Sequence, residues 1–251
     1  MRIDGIIDQP VSLDYAAFDV LYAAECGEDA PKPVGLEGIS PGATYQERLR
    51  VVDEVLAGLH ARGLAVVDTP VRPLLDTVRL LWEPHLAIYG WYTGGSGSGS
   101  FHIAASEDFA VFAGLAGDVV TLQPISWDSL YTKAFELVPE VGPVPGGSFV
   151  LPVRPASRHD SGSLLDPVYE EDDEDPVDRE QARAQELVHG SRPLFAMQVF
   201  KASRTEFPLH CYAGENGAVL AVRKQPRPGA DPRLHLIPAT RGTFGREVRA
   251  L

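Results

Sequence analysis

The chain has 251 residues, 44% hydrophobic and 23% charged, with a net charge of −13. That is enough for one large domain or two small ones with ordinary cores. The acidity, and the lack of a basic stripe with interleaved aromatics, exclude a nucleic-acid partner.

Seven acids fall in one window, Glu170 to Asp178, so part of the charge is local. That window reads as a solvated loop more readily than as a cation site. No stretch approaches about 18 uninterrupted apolar residues, so no membrane insertion is expected. The first fifteen residues carry early acids and no apolar core, unlike a secretory signal. Cys26 and Cys211 are the two cysteines and lie far apart. A reducing, cytoplasmic setting fits them better than a disulfide framework.

In chain order, Ser12 is a candidate N-cap for a helix carrying Ala17, Phe18, Leu21 and Tyr22 and stopped at Gly27. Prolines and glycines make residues 28–43 a loop. Thr44 to Glu47 spells a capping box. Behind it Leu49, Val52, Leu56 and Leu59 form an expected buried face, with Arg48, Arg50, Asp53 and Glu54 in water. Gly63 ends that helix. A third helix runs over about 72–82, with Leu74, Leu75, Val78 and Leu81 inward and Pro84 as its stop.

From Leu86 to Ile125 the pattern changes to short strands. Leu86, Ile88 and Tyr92 alternate with Ala87, Tyr89 and Trp91, which predicts a central strand covered on both faces. Phe101 to Ala105, Phe109 to Ala113 and Val119 to Ile125 follow, with links short enough for antiparallel neighbours. The Gly-Ser stretch between the first two reads as a flexible hairpin tip. Ser126 then caps a helix with Trp127, Leu130, Ala134 and Leu137. Phe149 to Leu151 is a strand. Residues 154–178 form an expected mobile acidic, proline-rich loop, and Asp178 to His189 a short polar helix ended by Gly190.

The C-terminal part repeats the order in outline. Leu194 to Ser203, Phe207 to Tyr212, Ala218 to Arg223 and Leu234 to Ile237 are strands, with GENG at Gly214–Gly217 as a hairpin turn. A last helix carries Phe244, Val248 and Leu251. The predicted class is α+β: a central antiparallel sheet with helical bundles in a quasi-two-fold arrangement, residues 1–251 as one domain.

No catalytic motif emerges. The Gly-Ser loop lacks the following helix of a dinucleotide site, the lysine of a phosphate loop, and the last glycine of a nucleophile elbow. No two of the seven histidines sit three or four apart on one helix, so neither metal nor other cofactor is expected. A small hydrolase or ligand-binding enzyme with a site assembled in space stays open as the alternative.

The spaced pattern as a whole resembles the EspG family of ESX (type VII) secretion-associated proteins. The residues that carry the likeness begin with Leu13-Asp14-Tyr15, Phe18, Leu21, Thr44 and Arg48. Leu59-His60-Ala61-Arg62-Gly63-Leu64 and the helix from Leu74 to Pro84 continue it. Gly117 to Ile125, Leu130, Leu137-Val138-Pro139 and Gly147 to Pro152 follow. Leu234 to Ala239 completes it. The chain departs at Ala213-Gly214 and Gly217-Ala218, and in its acidic insertion before Leu194.

The resemblance implies a cytosolic chaperone, not an enzyme. Its partner would be the helical tip of a PPE protein in a PE–PPE heterodimer, or another helical ESX substrate, with a homodimer left open for the free protein. It further implies substrate contacts at Trp91, Tyr92, Phe101 and His102 around the first hairpin, and at Phe244 and Val248 near the end.

Overall fold

A computed structural model describes residues 3–95, 97–152, 194–202, 207–225, 227 and 231–251. The expected loop at 154–178 and the polar helix from Asp178 to His189 lie outside these residues.

The chain enters through strand β1 (Val11–Asp14) and helix α1 (Tyr15–Cys26). The N-cap is Asp14, whose carboxylate accepts from the Ala17 amide at 2.6 Å. Ser12, the expected cap, lies instead inside β1. The Thr44 capping box forms as expected and starts α2 (Tyr45–Ala61). Gly63, with φ +69°, follows the end of α2 in a conformation that suits glycine.

The buried face of α2 differs from the expected one. Val55 and Leu59 are buried, whereas Leu49 is 46% exposed. Arg48 also turns inward, one turn before Val52 and two before Val55, where it meets the carboxylate of Asp19. A small hairpin, β2 (Ala65–Val66) and β3 (Thr69–Pro70), leads to α3 (Arg72–Trp82). Leu74, Val78, Leu80 and Leu81 of α3 are buried.

Four strands follow: β4 (Leu86–Gly94), β5 (Gly97–Ala105), β6 (Ala110–Ala116) and β7 (Val119–Pro124). The Gly-Ser stretch is paired nearly to its end, with Gly94 opposite Gly97. It is therefore a narrow hairpin arm, shorter in its turn than the sequence suggested. The helix expected from Ser126 is two 3-10 turns, Trp127–Ser129 and Lys133–Leu137, and Trp127 is 45% exposed.

The second half holds β8 (Phe149–Pro152), β9 (Phe195–Lys201), β10 (Leu209–Gly214), β11 (Gly217–Lys224) and β12 (Arg233–Pro238). Helix α4 (Arg241–Ala250) closes the chain. The GENG turn joins β10 to β11 as expected.

Among the described residues ten strands form one antiparallel sheet in the order β1-β7-β6-β5-β4-β9-β10-β11-β12-β8. Each half is an edge strand followed by a four-strand meander that folds back to it. The halves meet antiparallel at β4 and β9. A local two-fold perpendicular to the sheet relates them, which is the expected quasi-symmetry. The expected α+β class is also what the structure has.

Strand alternation sorts the side chains into two faces. The back face, with Ile88, Phe101, Phe112, Met197, Cys211 and Leu220, packs under the 3-10 turns and α4 in one continuous core. On the front face the β1–β7–β6–β5 half is covered by α1, α2 and α3. A small cluster around Val144, Val219, Ala221 and Leu236 lies at the opposite end of the same face. Between these two covered regions is the front of β4, β9 and β10.

Candidate functional site: an aromatic surface at the centre of the sheet

On the front of β4 and β9 the register sets Tyr89 opposite Phe200, Trp91 opposite Gln198 and Thr93 opposite Ala196. On the next strand Gln198 faces His210 and Ala196 faces Tyr212. Tyr89 and Phe200 stack with centroids 5.5 Å apart, and Trp91 meets both edge-on at 5.9 and 5.8 Å. Each such pair contributes about 1 kcal/mol beyond its buried area, so the three rings fix one another. Trp91 nevertheless remains 42% exposed. A large aromatic held rigidly at a surface is what a protein-binding hot spot requires.

Beside Trp91 is a hollow of about 260 Å³ bordered by Thr93, Ala196, Gln198, His210 and Tyr212. His210 and Tyr212 stack at 5.9 Å, and their Nδ1 and Oη atoms are 3.3 Å apart. Burial lowers the His210 pKa from its ordinary value, so its ring is neutral at neutral pH. Burial also raises the Tyr212 pKa. Among the described residues no carboxylate, lysine or arginine lines the hollow.

The other rim comes from the irregular segment between α1 and α2. Ser100 donates to the Gly35 carbonyl, and His102 Nδ1 donates to the Val34 carbonyl at 2.9 Å. Val34 itself is 39% exposed. The segment has no backbone ladder of its own, so side chains hold it. Tyr22 donates to the Pro31 carbonyl at 2.6 Å and Tyr15 to the Leu36 carbonyl at 3.3 Å. Asp19, 1% exposed, gathers Lys32 at 2.9 Å, Arg48 at 2.6 Å and the Ser40 hydroxyl at 2.7 Å.

The six residues proposed from sequence do not come together. Tyr92, Phe101, Phe244 and Val248 belong to the back-face core, and Trp91 and His102 to the front. Phe101, Phe244 and Val248 are essentially inaccessible, at 0, 0 and 1% exposure. They hold the sheet to α4 and present nothing to a partner. His102 is 4% exposed, shielded by the Val34 segment, and stacked on Tyr89 at 6.2 Å. Tyr92 stacks on Phe195 across the back face at 6.2 Å. Trp91 is the one member with an open aromatic surface on the front.

Sequence reasoning did not bring Phe200, Gln198 or Tyr212 to this face. Phe200 and Gln198 belong to the period-two row Ala196, Gln198, Phe200 that the sequence shows, but only the β4–β9 register places that row beside Trp91, and only the β9–β10 register adds Tyr212 opposite Ala196. His210 was weighed only as a metal ligand. Among the described residues no group of three His, Cys, Asp or Glu is placed to hold a metal ion. No described helix is long and apolar enough to cross a membrane.

The arrangement is a broad two-fold antiparallel sheet with an aromatic front face left open at its centre among the described residues. The family description "EspG family" matches residues 14–250, and the chain belongs to that family. Fourteen solved chains match. Among them is the type VII secretion system chaperone EspG5 of Mycobacterium tuberculosis, solved in complex with a PE25–PPE41 dimer. It is 12% identical with a TM-score of 0.61, over 96% of this chain and 94% of that one. No curated protein matches.

Proposed function

We propose that this protein is a non-enzymatic chaperone and adaptor of type VII (ESX) secretion. It works in the cytoplasm, covering the helical tip of a PPE-like subunit in a PE–PPE heterodimer until export. The observation that carries this reading is membership of the EspG family across nearly the whole chain. The fold it shares with EspG5, a chaperone solved with a PE–PPE dimer, supports it.

The physical demand on such a protein is to cover an apolar patch reversibly. A rigid aromatic centre with a polar rim meets it. The Tyr89–Trp91–Phe200 cluster supplies the centre, and Thr93, Gln198, His210 and Tyr212 supply the rim. The contact surface we assign is this front face, with Trp91 kept from the sequence-based set.

Co-expression with a PE–PPE heterodimer from the same genome tests it. One stable complex with a single copy of each chain is expected on gel filtration. Trp91→Ala is expected to weaken it about 30-fold, as for a hot-spot tryptophan worth about 2 kcal/mol. If every PE–PPE pair of that genome elutes separately from the chain, the reading fails.

A further inference from the structure

We propose that the outer face of α4, on the back of the sheet, is a second docking surface, and that its occupant is a carboxylate-rich segment of another protein.

Helix α4 turns Phe244, Gly245 and Val248 into the back-face core. Its outer face therefore points away from Trp91. Each exposed residue of α4 with a long side chain is an arginine: Arg241, Arg246 or Arg249. The single acid of the helix, Glu247, is buried and already paired with Lys224 at 2.6 Å. Arg246 touches that carboxylate only through Nε, at 3.3 Å. Arg241 stays 3.7 Å from Glu136, which Lys133 already engages.

Arg249 has no ion pair among the described residues. Its guanidinium lies over the Tyr131 ring, 4.8 Å from the centroid. The helix C-terminus does not need it, because the Lys201 ammonium donates to the Arg249 carbonyl at 3.0 Å. A guanidinium over an aromatic ring keeps its N–H edges for a carboxylate, which it grips in a bidentate fork.

Charge selects the occupant. The chain carries −13 overall, so an acidic partner is repelled from most of its surface and admitted where the local potential reverses. Screening within about 8 Å at physiological salt lets so small a patch act on its own. An anionic membrane asks for a cluster of about four to eight cations, more than the outer face of α4 presents. A second copy docked through the same face sets arginine against arginine. A run of aspartates or glutamates on another protein meets the arginines with opposite charge and leaves the front face free.

The test uses the full chain and a fluorescein-labelled peptide of about ten glutamates, read by fluorescence anisotropy at about 50 and 150 mM salt. The parent is expected to bind, more weakly at the higher salt. Combining Arg246→Glu with Arg249→Glu is expected to weaken binding about tenfold or more, and Arg249→Lys about threefold, because an ammonium cannot form the fork. Thermal melts check that each variant folds. Trp91→Ala is expected to bind the peptide like the parent, and the arginine variants to bind a PE–PPE heterodimer like the parent. If the parent ignores the peptide, or the double variant binds it unchanged, the proposal is overturned. Tighter binding to phosphatidylserine vesicles than to the peptide overturns it in favour of a membrane. Loss of PE–PPE binding in the arginine variants overturns it by making the face part of the cargo surface. Binding that appears only once the seven acids of Glu170 to Asp178 are neutralised gives the face to this chain itself, and also overturns it. If no PE–PPE heterodimer binds the parent, the chaperone reading falls, while the peptide result still decides this face.

Discussion

Asp19 is buried on α1, yet three donors reach it from two other parts of the chain: Lys32, Ser40 and Arg48. Burial works to raise its pKa, but the Ser40 and Lys32 hydrogen bonds, the Lys32 charge and the Arg48 hydrogen bond together hold it below the ordinary carboxylate value. Its contribution to stability is therefore full above about pH 4 and lost as pH falls through the lower folded value. Asp19→Asn is expected to cost about 3 kcal/mol in urea unfolding at pH 7, since it leaves two cations short of a partner. The same variant is expected to show a flatter acid limb. Val67 is a different kind of residue-scale feature. It is β-branched, its φ is +56° and its side chain is 68% exposed. Nothing is gained from its burial, and the left-handed backbone costs about 1 kcal/mol. Val67→Asn is thus expected to raise the unfolding free energy by about 1 kcal/mol, measured in denaturant.

At the scale of elements, the junction of β4 and β9 is the critical one, because the aromatic face spans it. Gly90 lies at this junction. A Cβ there would come within 2.0 Å of the Gln198 carbonyl and 2.8 Å of the Phe101 ring. Gly90→Ala is expected to force the strands apart and cost about 3 kcal/mol. It is also expected to weaken partner binding, because it shifts Gln198 against Trp91. Melting and calorimetry on one sample separate the two effects. Helix α2 shows how charge can redirect an element. Its apolar residues alone fit a face through Leu49 and Leu56 about as well as one through Val55 and Leu59. The pull of Asp19 on Arg48 accompanies the second choice, and this could not be seen from α2 itself.

At the scale of the whole molecule, three histidines among the described residues, His102, His210 and His235, are held below their ordinary pKa, in each case first by burial. For His102 the Val34 carbonyl and Glu37 oppose the shift. For His235 Lys224 and Arg233 add to it and Glu247 opposes it. The folded state then binds fewer protons than the unfolded chain below about pH 6.5. Stability is expected to be intact above that pH and to fall as pH drops through the window down to the folded values. Calorimetric melts at pH 7.5 and 5.5 check this, with a smaller difference expected for His102→Gln. His210 lies in the hollow, so complex formation is expected to weaken over the same window.

Much of the architecture was legible locally. Capping chemistry set the start of α2, glycine its end, and alternation marked most of the strands and the GENG turn. The repeated order of elements pointed to the two-fold sheet. These signals depend on residues near one another in the chain, where period, caps and turns act directly. The composition of the proposed partner surface was not local. Trp91 and Tyr92 are adjacent and equally aromatic, and it is the coverage of each face that makes one a surface residue and the other part of the core. Phe200 and Gln198 join Trp91 only through pairing between strands more than a hundred positions apart in sequence. By itself the sequence determined the elements, their class and the family resemblance, because those follow from short-range patterns. Only the tertiary structure decided which face of the central strands stays open, because that depends on what the rest of the chain packs against each side.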